Sequence, residues 1–230
     1  TTGSSLFCSS LWFMVKRLSG PKAQRLSHHS LRILGDSNAV GYRKPPDGTA
    51  KFLASLLERK LKMESSLGRC GLTILPSKLP FLSWCKEKAG RSLAETDFAL
   101  LILGTNDITQ LRRRAMEWSK DMSDKAVARK VQAGLHKALT WIRQFTIGTI
   151  IVVEPVNMMT TRTAENGIIV KAMEQEVSSF SGAQWLPMHW KHADLQRPLG
   201  KLRREPDPKH FNCKAARRMA AEVERLIGGR

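Results

Sequence analysis

The stretch that decides how this chain is read is Phe98-Ala99-Leu100-Leu101-Ile102-Leu103-Gly104-Thr105-Asn106-Asp107. An unbroken apolar run of this length suits a strand buried on both faces better than one with a wet face. Such strands belong to parallel sheets covered by helices. The run stops at a glycine and turns abruptly polar. That position matters, because open parallel sheets bind ligands at the carboxyl ends of their strands.

The same pattern recurs on both sides. Leu31-Arg32-Ile33-Leu34 predicts a short strand that ends at Gly35 and runs into Asp36-Ser37-Asn38. Thr149-Ile150-Ile151-Val152-Val153 predicts another, stopped by Pro155, and Gln184-Trp185-Leu186-Pro187-Met188 a last short one. Helical spacing fills the intervals. Residues 49–61 place Phe52, Leu53, Leu56, Leu57 and Leu61 on one face, with Thr49 as the cap. Further helices are expected from Phe81 to Lys88, over residues 124–145 with Val127, Val131, Leu135, Ala138, Leu139 and Ile142 inward, and over 164–180. Cys213 to Ile227 predicts a closing helix with Ala216, Met219, Ala220, Val223 and Leu226 or Ile227 inward, ended by Gly228-Gly229. Strands alternating with helices predict an α/β domain, a three-layer sandwich with a central parallel sheet. No internal repeat, heptad or low-complexity tract appears.

The chain has 230 residues, enough for one sizeable core. We read residues 1–29 as a basic N-terminal extension and 30–230 as the folded domain. Apolar residues make up 42% and charged residues 25%, ordinary values for a globular protein. The charge balance is not ordinary: 38 Lys and Arg against 20 Asp and Glu leave a formal +18. That excess favours an anionic partner such as nucleic acid, an acidic polysaccharide or lipid. The apolar run Leu11-Trp12-Phe13-Met14-Val15 is too short to span a bilayer. Cys8, Cys70, Cys85 and Cys213 are scattered, with no zinc-site spacing, and read as free thiols in an intracellular reducing compartment. His189 and His192 are spaced like metal ligands, but no third ligand stands near them, so no metal and no cofactor are expected.

Three polar clusters carry the chemistry: Gly35-Asp36-Ser37-Asn38, Gly104-Thr105-Asn106-Asp107 and Asp207-Pro208-Lys209-His210. Each alone is an ordinary turn or cap sequence. Together they hold a complete acyl-transfer set. Ser37 offers a hydroxyl nucleophile, which is inert until a base takes its proton, and His210 is a suitable base. Asp207 can hold the imidazole tautomer and offset its charge. The Asn106 side chain and the Ser37 backbone N–H can stabilise an oxyanion. Asp36 is expected to order its turn or a loop nearby. Asp107 is expected to anchor its loop or cap the next helix.

With its three blocks in this order, the chain resembles SGNH/GDSL-type serine hydrolases, which carry a GDS block, a GxND block and a late DxxH block. The resemblance covers about residues 30–228. It implies a flavodoxin-like SGNH hydrolase fold, with Ser37, Asp207 and His210 as catalytic residues and Asn106 in the oxyanion hole. It also implies an oxyanion glycine after the second strand, for which Gly71 is preferred and Gly68 is the alternative. The implied activity is a serine esterase or acyl hydrolase acting on a small ester, an acetylated sugar or a lipid.

Arg112, Arg113 and Arg114 follow the second block, and Arg203 and Arg204 precede the third. They are candidate anion-binding residues flanking the cleft. They motivate an alternative reading: a non-enzymatic module of the same fold that binds RNA, a ribonucleoprotein, or a viral or retroelement assembly. No RNA-recognition motif accompanies them.

Overall fold

The computed structural model describes residues 28–40, 49–89, 93–112, 122–156, 164–196 and 207–229. Strands β1 (Ser30–Gly35), β2 (Lys62–Met63), β3 (Leu67–Gly68), β4 (Phe98–Ile102), β5 (Ile150–Val153) and β6 (Ala183–Leu186) form one sheet. Every neighbouring pair in it is parallel. The order is β2-β1-β4-β5-β6, and β3 also pairs with β1. Ser30 faces Lys62 and Gly35 faces Gly68, so β2 and β3 are two pieces of one interrupted edge. The chain therefore lays its second stretch of strand on one side of β1 and all later strands on the other. The winding reverses between β1 and β4, and the crevice outside that reversal is where such sheets bind ligands.

Burial on both faces explains the unbroken apolar runs. Along β4, Phe98, Leu100 and Ile102 enter one core, while Ala99 and Leu101 enter the other. The first core lies under α2 (Thr49–Glu58) and α7 (Cys213–Gly228). The second lies under α3 (Phe81–Ala89), α4 (Thr105–Arg112), α5 (Asp124–Arg143) and α6 (Ala164–Ser179). A four-residue helix, α1 (Ser37–Val40), follows β1 immediately.

The long amphipathic helices form where the periodicity predicts. Helix α5 buries Val127, Val131, Leu135, Ala138, Leu139 and Ile142, and also Trp141. Its N-cap, Ser123, accepts the Ala126 N–H, satisfying one of the free donors of the first turn. Helix α7 buries Ala216, Met219, Ala220, Val223 and Ile227, and adds Ala215. Helix α2 ends at Glu58, short of the expected residue 61; Leu61 lies beyond it and is still buried.

Two features depart from the sequence reading. The stretch Gly104–Asp107 is not simply a turn, because Thr105 opens α4 and puts Asn106 and Asp107 in its first turn. The segment before α7 is not a plain loop either. Strands β7 (Leu195–Gln196) and β8 (Asp207–Phe211) form a small antiparallel pair. Pro208 is tolerated there because the pair is a free-standing two-strand ribbon, in which each strand is an edge.

Candidate active site

Gly35 ends β1 at a φ of +146°, and a Cβ built on it would lie 1.8 Å from the Ile102 carbonyl oxygen. Only glycine allows that approach. It lets the next residue, Asp36, donate its N–H to the same carbonyl at 3.0 Å. The chain then turns into α1 with Ser37 as its first residue, at the carboxyl end of β1. From far along the chain, β8 delivers His210. Ser37 Oγ and His210 Nε2 are 2.9 Å apart, and both side chains are buried.

The His210 end is fixed by several independent bonds. Asn212 caps α7 by accepting the Lys214 and Ala215 N–H groups, and its side-chain amide donates to the Ala193 and Leu195 carbonyls. Its own N–H donates to the Asp194 carbonyl at 2.7 Å. The buried Asp194 carboxylate accepts from Arg218, which also donates to the Met188 carbonyl. Phe211, next to His210, stacks on Trp190 at 5.9 Å. The Trp190 indole N–H donates to the Glu154 carbonyl, and the Glu154 carboxylate accepts the Met188 and His189 N–H groups at 2.7 and 2.8 Å. Glu154 thus holds this loop, with backbone partners 34 and 35 residues away.

Asp36 is fully buried, and it accepts the Asn38 N–H at 2.9 Å. It also accepts from Asn106 Nδ2 at 3.3 Å. Burial pushes its carboxyl up to about 6, partly countered by the Asn38 N–H, the nearby His210 and the Asn38 side chain. Asp107 is also fully buried, and it holds a loop from an earlier part of the chain. Its two oxygens accept the Ile74 and Leu75 N–H groups at 2.9 and 2.8 Å. Burial pushes it up to about 7; the Leu75 and Ile74 N–H groups oppose that shift and the Asp36 charge adds to it.

Asn106 lies beside Asp36, and its Nδ2 also donates to the Leu72 carbonyl at 3.2 Å. Both amide hydrogens therefore have acceptors, at long distances. Gly68 lies within β3 opposite Gly35, while Gly71 lies in the turn just beyond, at a φ of +87°. Neither the Gly71 N–H nor the Ser37 N–H has an acceptor among the described residues.

The remaining expectations fall at or outside the limits of the described residues. Asp207 is part of β8, but its side chain lies outside them, as do the Arg112 side chain and Arg113, Arg114, Arg203 and Arg204. His192 opens a 3-10 turn and His189 is exposed at a φ of +47°. Among the described residues, no group of three His, Cys, Asp or Glu side chains is arranged to hold a metal ion.

No protein-family model matches the chain, and no curated protein matches it. Solved structures do. An alpha/beta hydrolase enzyme from the metagenome of Lake Arreo, Spain, superposes with a TM-score of 0.61 at 16% identity, covering 88% of this chain and 96% of that one. An acetylxylan esterase from Geobacillus stearothermophilus gives 0.57 at 14% identity, covering 88% and 94%. A carbohydrate acetylesterase from Sinorhizobium meliloti gives 0.57 at 12%, covering 87% and 99%. The chain thus shares the α/β fold of these proteins, a central parallel sheet flanked by helices, over most of its length.

Proposed function

We propose that this chain is a serine hydrolase of the SGNH/GDSL type that cleaves carboxylic esters through an acyl-enzyme on Ser37. The observation that carries the proposal is the 2.9 Å contact between Ser37 Oγ and His210 Nε2, buried at the carboxyl end of β1. His210 takes the Ser37 proton as the oxygen attacks the ester carbonyl, then returns it to the departing alkoxide. Water, activated by the same imidazole, releases the acid. Asp207, three residues before His210, is assigned the role of orienting its ring. The Ser37 and Gly71 backbone N–H groups are assigned to the oxyanion, with Gly71 preferred over Gly68 because it lies past the strand end with its N–H unengaged. Asn106 joins them by exchanging one of its two long bonds for the oxyanion.

Strand order supports the finer fold assignment. Counting β2 and β3 as one interrupted strand gives the flavodoxin-like order, with the reversal beside the nucleophile. Residues 30–230 are assigned to this domain and 1–29 to a basic extension. Proteins of the same fold include enzymes described as acetylxylan and carbohydrate acetylesterases, so an acetylated sugar is the substrate to try first. Among the described residues no disulfide joins Cys70, Cys85 and Cys213, in keeping with the reducing compartment assigned to the chain. Among the described residues no helix is long and apolar enough to cross a membrane.

The test is turnover of a chromogenic acetyl ester by the purified chain. Wild type should hydrolyse it, and Ser37→Ala should lose about 10⁴-fold or more of the rate with its fold intact. An unchanged rate in Ser37→Ala would end this reading.

A further inference from the structure

The first turn of α4 grips a loop that belongs to a different part of the chain. Asn106 Nδ2 donates to the Leu72 carbonyl, and the two oxygens of Asp107 take the Ile74 and Leu75 N–H groups. Three bonds from two adjacent residues thus fix residues 72–75. That loop begins at Gly71, whose φ of +87° suits glycine and few other residues. On its other side the loop is tied to the nucleophile turn, because the Arg69 N–H donates to the Gly35 carbonyl, two residues before Ser37. The loop is therefore strung between the nucleophile turn and Asp107.

We propose that Asp107 is a positioning residue for catalysis: its carboxylate sets the loop so that the Gly71 N–H is held beside the Ser37 N–H, completing the oxyanion hole. The proposal rests on the esterase reading above. A fully enclosed carboxylate is a costly way to hold a loop. Its two short, charge-assisted bonds to consecutive backbone donors fix both the position and the tilt of that loop, which a neutral side chain in the same place would not. Among the described residues, the charged or titratable group that faces Asp107 is Asp36, from the turn after β1. Asp36 in turn faces His210 of β8 and Cys70 of the turn after β3. Asn106, Asp107 and Asp36 thus form one buried polar cluster joining α4, the glycine loop and the nucleophile turn.

The test uses the full chain and Asp107→Asn, which keeps the shape but turns an N–H toward one of the two backbone donors. Active-site content is first fixed by the end-point of fluorophosphonate labelling, so that misfolded protein is not counted. Per labelled site, kcat on an acetyl ester should fall about 100-fold, the size of effect seen when one oxyanion donor is lost, while KM stays within about threefold. Affinity for a boronic acid that forms a tetrahedral adduct on Ser37 should fall by the same factor as kcat. A labelled variant with kcat within threefold of wild type would overturn the proposal.

If Asp107→Asn does not fold, the wild-type protein decides. The amide resonances of Ile74, Leu75 and Gly71 should move together as Asp107 titrates. A Gly71 resonance that stays fixed while the other two shift would overturn it. Wild type that neither turns over ester nor labels at Ser37 would instead sink the esterase reading, leaving the resonance test readable.

Discussion

Ser37 and His210 are 173 positions apart in the chain and 2.9 Å apart in space. Three small facts at the residue scale bring them together. Gly35 lets β1 press against the end of β4, Asp36 ties the turn that follows, and Asn212 locks the segment two residues after His210. The first of these is the least replaceable. In Gly35→Ala the new methyl group would meet the Ile102 carbonyl at 1.8 Å, and the backbone would be held at a φ of +146°. Overpacking and backbone strain together should cost about 3 kcal/mol or more. Urea unfolding should show that loss along with a loss of ester turnover, and a variant as stable as wild type would contradict this account of the turn. Ser37, His210 and the turn-ordering Asp36 are legible in the sequence because each lies in a short block next to a strand or helix signal. Which loop Asp107 orders is not legible there, for a physical reason. Its partners are backbone N–H groups 32 and 33 residues away, which no local pattern records.

The elements follow the same division. Helices α5 and α7 and strands β1, β4 and β5 are readable, because their periodicity or unbroken apolarity directly reflects how many faces they bury. The interrupted edge β2/β3 is not, since Lys62-Met63 and Leu67-Gly68 are short, half-exposed and separated by polar residues. The β7/β8 ribbon is hidden for a similar reason: only Leu195 and Phe211 of its described side chains are apolar and buried, and the Asp194–Arg218 pair and the Asn212 amide that brace it leave no periodic pattern in the sequence. One element-scale consequence concerns Glu154 at the end of β5. Its carboxylate anchors residues 188 and 189, and the Trp190 ring supports Phe211 beside His210. Glu154→Ala should leave two N–H groups without their charged acceptor and cost about 2 kcal/mol. It should also lower kcat more than it raises KM, by loosening His210. Kinetics on the folded variant check this, and an unchanged kcat would detach the loop from catalysis.

Across the whole molecule, the buried acids shape the response to pH. Asp36 and Asp107 titrate near 6 and near 7 in the folded chain, well above the ordinary carboxylate value of 3.8 that applies once it unfolds. Between those values the folded state holds protons that the unfolded state has released. These two groups therefore stabilise the fold at the acidic end and lose that contribution as pH rises through about 6 and about 7, at a rate of up to about 1.4 kcal/mol per unit for each group. Denaturant titrations of wild type and Asp107→Asn from pH 4 to 8 should show the wild-type advantage shrinking as pH rises, and a constant difference would refute the assignment. The direction is informative, because the ionised Asp107 that catalysis calls for is the form that costs stability. Other whole-molecule properties were only partly legible. The parallel sheet followed from the alternation of strands and helices. Its order did not, because the apolar pattern of a buried strand is the same whichever neighbour it has. The formal +18 is plain in the composition, but the arginine clusters that motivated a nucleic-acid partner fall outside the described residues.

The central claim is that Ser37 is a nucleophile activated by His210. A fluorophosphonate reacts with a serine hydroxyl only when a base has made it nucleophilic, so peptide mapping after exposure of the folded wild-type chain tests this most directly. The account predicts one adduct, on Ser37, absent from Ser37→Ala and strongly slowed in His210→Ala. A folded wild-type chain that carries no adduct on Ser37, or one that reacts equally well without His210, would contradict it.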